Sequence, residues 1–176
     1  AVENGYFKVG ILNGEQFTTK SVLLSIGRRG TPRKLNVPGE MLEKVAYRLL
    51  EPENIIDKDI LIVGGGDSAI ESALLLAGLN KVTLCYRGEV FNRLKPKNSE
   101  RINQAIEQER IDVRFDTNPV SIDKTDVALS TKGKENYTIK NDLVYIFAGG
   151  ELPTEFLQKI GLKITKKFGE AILKHN

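Results

Sequence analysis

Ile60-Leu61-Ile62-Val63-Gly64-Gly65-Gly66-Asp67-Ser68-Ala69-Ile70-Glu71 reads as a short apolar strand that turns through consecutive glycines straight into a helix. The strand is apolar and mostly β-branched, as expected where a parallel sheet is covered on both faces. Beyond it, Ile70, Ala73, Leu74 and Ala77 recur at helical spacing, and Gly78 supplies a stop. In this setting each residue of the turn has a mechanical task. Gly64 makes the tight turn, Gly66 lets a pyrophosphate approach the backbone, and Ala69 allows the helix to pack closely on the strand. Gly65 completes the loop, Asp67 is expected to cap the first helical turn, and Ser68 adds a hydroxyl donor. The positive end of the helix then faces the phosphates of a dinucleotide. A glycine turn that binds nothing is the competing reading, and the placement between strand and helix argues against it.

After this helix, Val82 to Tyr86 reads as a second strand, Ser99 to Arg110 as an amphipathic helix capped by Asn98 or Ser99, and Ile111 to Phe115 as a third strand. Such strand-helix alternation predicts a doubly wound α/β unit. Val120 to Ile122, Val127 to Ser130 and Tyr137 to Ile139 read as a three-stranded meander, and Leu143 to Phe147 as another buried strand ending at Gly149-Gly150. Thr154 is placed as the cap of a last short helix that Gly161 stops. Towards the amino terminus, Phe7, Val9 and Ile11 alternate with Lys8 and Gly10, Asn13-Gly14 is a hairpin turn, and Phe17 opens the return strand. Val22 to Ile26, ending at Gly27, reads as a buried strand. The loop Arg28 to Glu40, with Pro32, Pro38, Gly30 and Gly39, marks a boundary. The predicted fold class is α/β: a Rossmann-like three-layer NAD(P)-binding domain with a parallel central sheet and a β-meander, preceded by an N-terminal β-hairpin.

The tip of the second strand bears on which nucleotide is bound. An NAD site places a carboxylate there for the ribose 2′-OH, and an NADP site an arginine for the 2′-phosphate. Here the strand ends Cys85-Tyr86-Arg87-Gly88, with Arg93 close behind. A guanidinium at Arg87 suits a 2′-phosphate, and Tyr86 or Arg87 is suited to stack on the adenine. NADPH is the favoured nucleotide. Glu89 remains within reach of a ribose, Arg87 has the alternative of a solvated loop position, and Glu71 faces either the nicotinamide ribose or solvent. Lys95 and Lys97 read better as solvated than as phosphate ligands.

The segments GGGDSAIE, YRGEVFNR, PRKLNVPGE and IFAGGELPTEFL together resemble the pyridine-nucleotide domain of thioredoxin-reductase-like flavoproteins, over nearly the whole chain. The resemblance implies a nucleotide domain, residues 36–153, inserted into a discontinuous FAD domain. Residues 1–35, with SIG where relatives often have ATG, would be the lead-out of that FAD domain, and residues 154–176 the start of the way back. It places Gly149 near the nicotinamide side of the site and implies hydride transfer from NADPH to FAD, with electrons passed to an unknown acceptor. No side chain here is expected to act as a catalytic acid or base. A non-catalytic redox sensor or scaffold is the alternative, and a flavin monooxygenase-like protein shares the same loop. Two departures stand out: thioredoxin reductases proper carry a C-x-x-C pair in this domain, and the H-R-R usual at the second strand's end is here Tyr86-Arg87-Gly88.

Composition narrows the rest. Lys and Arg total 26 against 23 Asp and Glu, scattered along the chain, so neither a nucleic acid nor a membrane partner is indicated. Cys85 is the only cysteine, which excludes an intrachain disulfide or dithiol; it reads as a small core residue in a reducing cytoplasm. His175 is the only histidine, two positions from the end, so a metal cluster or a serine-histidine system is not expected. No stretch reaches the roughly 20 apolar residues of a bilayer span. Met41 is the only methionine, and the chain is expected to be an excised or processed part of a longer protein.

Overall fold

A computed structural model describes residues 2–3, 5–25, 32–151 and 153–164. At its centre is a five-stranded parallel sheet in the order β4-β11-β5-β6-β7. Its strands are β4 (Val45–Ala46), β5 (Asp59–Val63), β6 (Lys81–Cys85), β7 (Ile111–Arg114) and β11 (Leu143–Ile146). Helices α1 (Asp67–Leu76) and α2 (Pro96–Glu107) cover one face, and the antiparallel meander β8 (Thr117–Ile122), β9 (Asp126–Thr131) and β10 (Tyr137–Lys140) covers the other. The three-layer α/β architecture read from the sequence is the one observed.

The two-residue period of β5 explains the layering. Ile60 and Ile62 join Ile70, Ala73, Leu76, Leu84 and Ile102 in the core under the helices. Leu61 and Val63 face the other way and pack with Cys85, Ile122, Val127, Leu129, Val144 and Ile146 under the meander. A strand with water on neither side needs apolar residues at every position. Each large side chain so buried contributes roughly 1.5–3 kcal/mol. Cys85 is fully buried, and burial pushes its thiol up to about 12.

Several boundaries differ from the sequence reading. Helix α2 starts at Pro96, with Lys95 as N-cap, so neither Asn98 nor Ser99 caps it. The proline's fixed φ and missing N–H suit a first helical position. The last helix, α3 (Thr154–Lys159), begins at Thr154 itself, after Pro153. The amino-terminal strands β1 (Val2–Glu3), β2 (Tyr6–Gly10) and β3 (Gln16–Thr19) form a separate antiparallel sheet. Residues 21–25 form no strand, and Val22, Leu23 and Leu24 are exposed, against the buried strand expected there. An apolar run is buried only where something flanks it, and the sheet before it is itself open at Tyr6, Phe7 and Phe17. Ile26 to Gly30 and the segment from Thr165 to Asn176, including His175, lie outside the described residues.

The loop before β4 is held by a carboxylate that no local motif singles out. Glu40 is 6% exposed and accepts hydrogen bonds from the Leu35 amide, the Asn36 amide and the Tyr47 hydroxyl, each at 2.7 Å. Burial by itself would raise its pKa, but the bonds from Tyr47, Leu35 and Asn36 prevail and hold it below the ordinary glutamate value. Next to it, Gly39 has φ +79°, and a Cβ there would stand 1.7 Å from the Ile122 carbonyl oxygen. The loop is thereby fastened to the meander. Glu40→Ala is expected to cost about 2–4 kcal/mol in urea unfolding, because three hydrogen bonds to a buried carboxylate are lost. Since the folded pKa is depressed, Glu40 stabilises fully above its unfolded value of about 4.3 and progressively less as pH falls through the folded value. Glu40→Gln should flatten the acid limb of the stability profile below about pH 5.

Candidate functional site

The glycine loop leaves the sheet at the carboxyl end of β5, between two strands that grip its start. The Phe147 amide donates to the Val63 carbonyl at 2.7 Å, and the Gly64 amide donates to the Cys85 carbonyl at 3.0 Å. Gly64 then turns with φ +149°, and a Cβ on it would come 2.7 Å from the Phe147 carbonyl oxygen and 3.1 Å from Ala69 Cβ. Glycine at 64 and a methyl at 69 are thus two halves of one close contact between loop, helix and β11. Chain order makes this the switch point of the sheet: β6 and β7 follow on one side of β5, and β11 returns on the other. Open α/β sheets bind ligands in that position.

Gly66 is the N-cap of α1, in extended backbone, and its carbonyl accepts from the Ala69 and Ile70 amides at 3.0 and 3.2 Å. No side chain caps the helix. The amides of Asp67 and Ser68 are therefore left to solvent or to a ligand. A Cβ at Gly66 would meet nothing within 4 Å, and Gly66 and Ser68 are exposed. The loop presents bare backbone at the positive end of a helix, which suits an anion.

Asp67 does not cap the helix as expected. Its carboxylate turns sideways and accepts from the Lys95 amide at 3.0 Å and from Asn98 Nδ2 at 2.7 Å. The Asn98 bond, then the Lys95 amide, hold its pKa below the ordinary aspartate value. Asn98 Nδ2 also donates to Glu71 Oε1 at 2.8 Å. Glu71 is therefore committed to a neighbouring helix, although exposed. Asn98, 5% exposed, ties the start of α1 to the start of α2. The bond spans 27 residues of sequence to Glu71 and 31 to Asp67, which is why local pattern did not point to it.

Tyr86 forms the wall beside the loop. Its ring lies so close to Gly65 and Gly88 that a Cβ on either would stand 2.4 or 2.7 Å from it, and it stacks on Phe91 with centroids 5.6 Å apart. Phe91 in turn meets Phe115 edge-on at 4.9 Å. The ring read as an adenine platform is thus packed between glycines and a second aromatic. Arg87 and Arg93 are exposed, and Glu89 is paired with Lys132. On the other flank Gly149, exposed with φ +89°, follows β11, and its carbonyl accepts from the Arg33 amide at 3.0 Å. Pro32 and Gly150 form an antiparallel bridge beside it. The sequence-selected residues therefore line one edge of the sheet: Arg87 after β6, Gly64 to Ala69 after β5, Gly149 after β11. Among the described residues no acidic, cysteine or histidine group could hold a metal, and no helix is long and apolar enough to cross a membrane.

A family model described as pyridine nucleotide-disulphide oxidoreductase matches residues 1–176. The bacilliredoxin reductase Bdr of Bacillus subtilis (strain 168) is 32% identical over 157 residues, 88% of this chain and 48% of that protein. The solved structure of bacillithiol disulfide reductase Bdr from Staphylococcus aureus matches with a TM-score of 0.88 at 29% identity, covering 94% of this chain and 51% of the other. Thioredoxin reductase of Lactococcus lactis matches with a TM-score of 0.76 at 27% identity, covering 90% and 54%. The resemblance read from the motifs is borne out. The chain spans about half the length of these proteins.

Asn98→Ala should destabilise the chain by about 1–3 kcal/mol, since it removes a buried amide shared by two carboxylates. It should also raise the Asp67 pKa towards its ordinary value. A carboxyl-carbon NMR titration reads the second effect separately from the first.

Proposed function

Because the chain belongs to the pyridine nucleotide-disulphide oxidoreductase family, we propose that its glycine loop binds NADPH as the electron donor of an FAD-dependent oxidoreductase. The observation that carries this reading is the order of the candidate groups on the sheet edge. Neighbouring strands lie about 4.8 Å apart. A dinucleotide laid across β6, β5 and β11 would meet Arg87, then the bare amides of Gly65 to Ser68, then Gly149.

Each group then has one task. Arg87 would hold the 2′-phosphate, Arg93 would add charge on the same loop, and the loop amides and Ser68 would hold the pyrophosphate. With the Tyr86 ring occupied by Phe91, stacking on adenine passes to Arg87, while Tyr86 fixes the loop's height over Gly65. Gly149, without a side chain, leaves the nicotinamide end open. Bound there, NADPH would supply a hydride to FAD. In this reading residues 36–153 are the nucleotide domain, while residues 1–35 and 154–176 belong to the FAD domain. The single cysteine means that no dithiol within this chain relays electrons to the acceptor. A reducing cytoplasm suits such a chain.

Calorimetric titration with NADPH and NADH at matched salt tests the site. NADPH should bind more tightly, and Arg87→Ala should remove that preference by weakening NADPH about tenfold to a hundredfold. Gly66→Ala should alter stability by no more than about 1 kcal/mol, because its Cβ meets open space, yet weaken both nucleotides by about tenfold. Nucleotide affinities that neither substitution changes would sink the proposal.

A further inference from the structure

The loop beyond Arg87 is tied to the meander by a relay of backbone bonds. The Gly88 carbonyl accepts from the Asp116 amide at 3.1 Å, and the Asp116 carbonyl accepts from the Lys132 amide at 3.0 Å. Residues 88, 116 and 132 therefore lie side by side in three segments far apart in sequence. This brings Lys132 Nζ to 3.7 Å from Glu89 Oε1. Glu89 is the only carboxylate between Tyr86 and Arg93. A carboxylate at this strand tip is the group an NAD site uses for the ribose 2′-OH, and it repels a 2′-phosphate. The tip thus carries opposing signals, Arg87 for the phosphate and Glu89 against it.

We propose that Lys132 is a specificity-determining residue of the dinucleotide site, acting by neutralising Glu89 and drawing it off the ribose. The proposal rests on the nucleotide reading above and deepens it. Position 132 is suited to this because its amide, not its side chain, carries the link to Asp116, and the side chain is 78% exposed. Truncating the side chain leaves that backbone link in place. The meander thereby takes part in nucleotide choice, although it packs on the sheet face opposite the helices.

The test is a double-mutant cycle on the ratio of NADPH to NADH affinity, measured on the 176-residue chain by calorimetry, with circular dichroism to confirm unchanged folding. Lys132→Ala should lower the ratio by roughly two- to fivefold, the range of an exposed ion pair. The loss should be absent when Glu89 is also alanine, and should shrink in about 0.5 M salt. An unchanged ratio overturns the inference, as does equal weakening of both nucleotides or a loss that persists without Glu89. Failure of the underlying reading looks different: the unsubstituted chain would bind neither nucleotide, or Arg87→Ala would leave the preference intact.

Discussion

Where β5 leaves the sheet, its chain passes between the carbonyl of Phe147 and the methyl of Ala69, at distances that admit no Cβ on residue 64. Everything at the candidate site depends on that passage. It lets α1 start directly over the strand end, so the first-turn amides lie at the sheet edge. It also keeps β11 hydrogen-bonded beyond the point where β5 turns away, through the Phe147 amide. A larger residue at 64 or 69 would push the helix outward and move amides, wall and return strand apart together. Close packing turns one missing side chain into the geometry of a whole binding edge.

The two ends of the sheet are built differently. At the carboxyl end the loop is bare backbone, with Arg87 and Arg93 exposed beside it. At the amino end, charges are satisfied within the protein. Asp59 pairs with Lys140 at 2.9 Å and Lys81 at 3.6 Å, and Lys140 foremost holds its pKa below the ordinary aspartate value. Its amide also donates to the Asp142 carboxylate at 2.8 Å. Lys44 reaches the carbonyls of Asp126 and Asn141 and joins the meander to the segment before β11. A cavity of about 200 Å³ does open at this end, lined by Asp59, Lys81, Arg114 and Lys140, but its cations are already partnered. The structural end is closed by ion pairs, whereas the candidate binding end keeps exposed backbone and the exposed Arg87 and Arg93.

What the sequence disclosed follows from how far each interaction reaches. The strand-glycine-helix turn, the layering by alternate residues of β5 and the meander are local patterns, and all are present. So are the motifs that carried the family resemblance. The features that escaped are bonds between distant segments. Asn98 looked like a helix cap because its own neighbourhood said so, and its true partners sit a helix away on α1. Tyr86 looked free to stack on a ligand because Gly65 and Phe91 are not adjacent to it in sequence. Val22 to Leu24 had the composition of a buried strand, but burial is a property of what lies alongside, which composition does not report.

Cys85 gives the molecule an internal clock. Its thiol is sealed at the end of β6 beside the glycine loop, and burial keeps it protonated at neutral pH. The thiolate is the reactive species, so a thiol reagent in solution can modify only molecules whose central sheet has come apart. With one cysteine in the chain, every modification event reports the same opening. The labelling rate therefore counts how often the sheet core opens, and any ligand that closes over the neighbouring loop would be heard as a slowing of that clock.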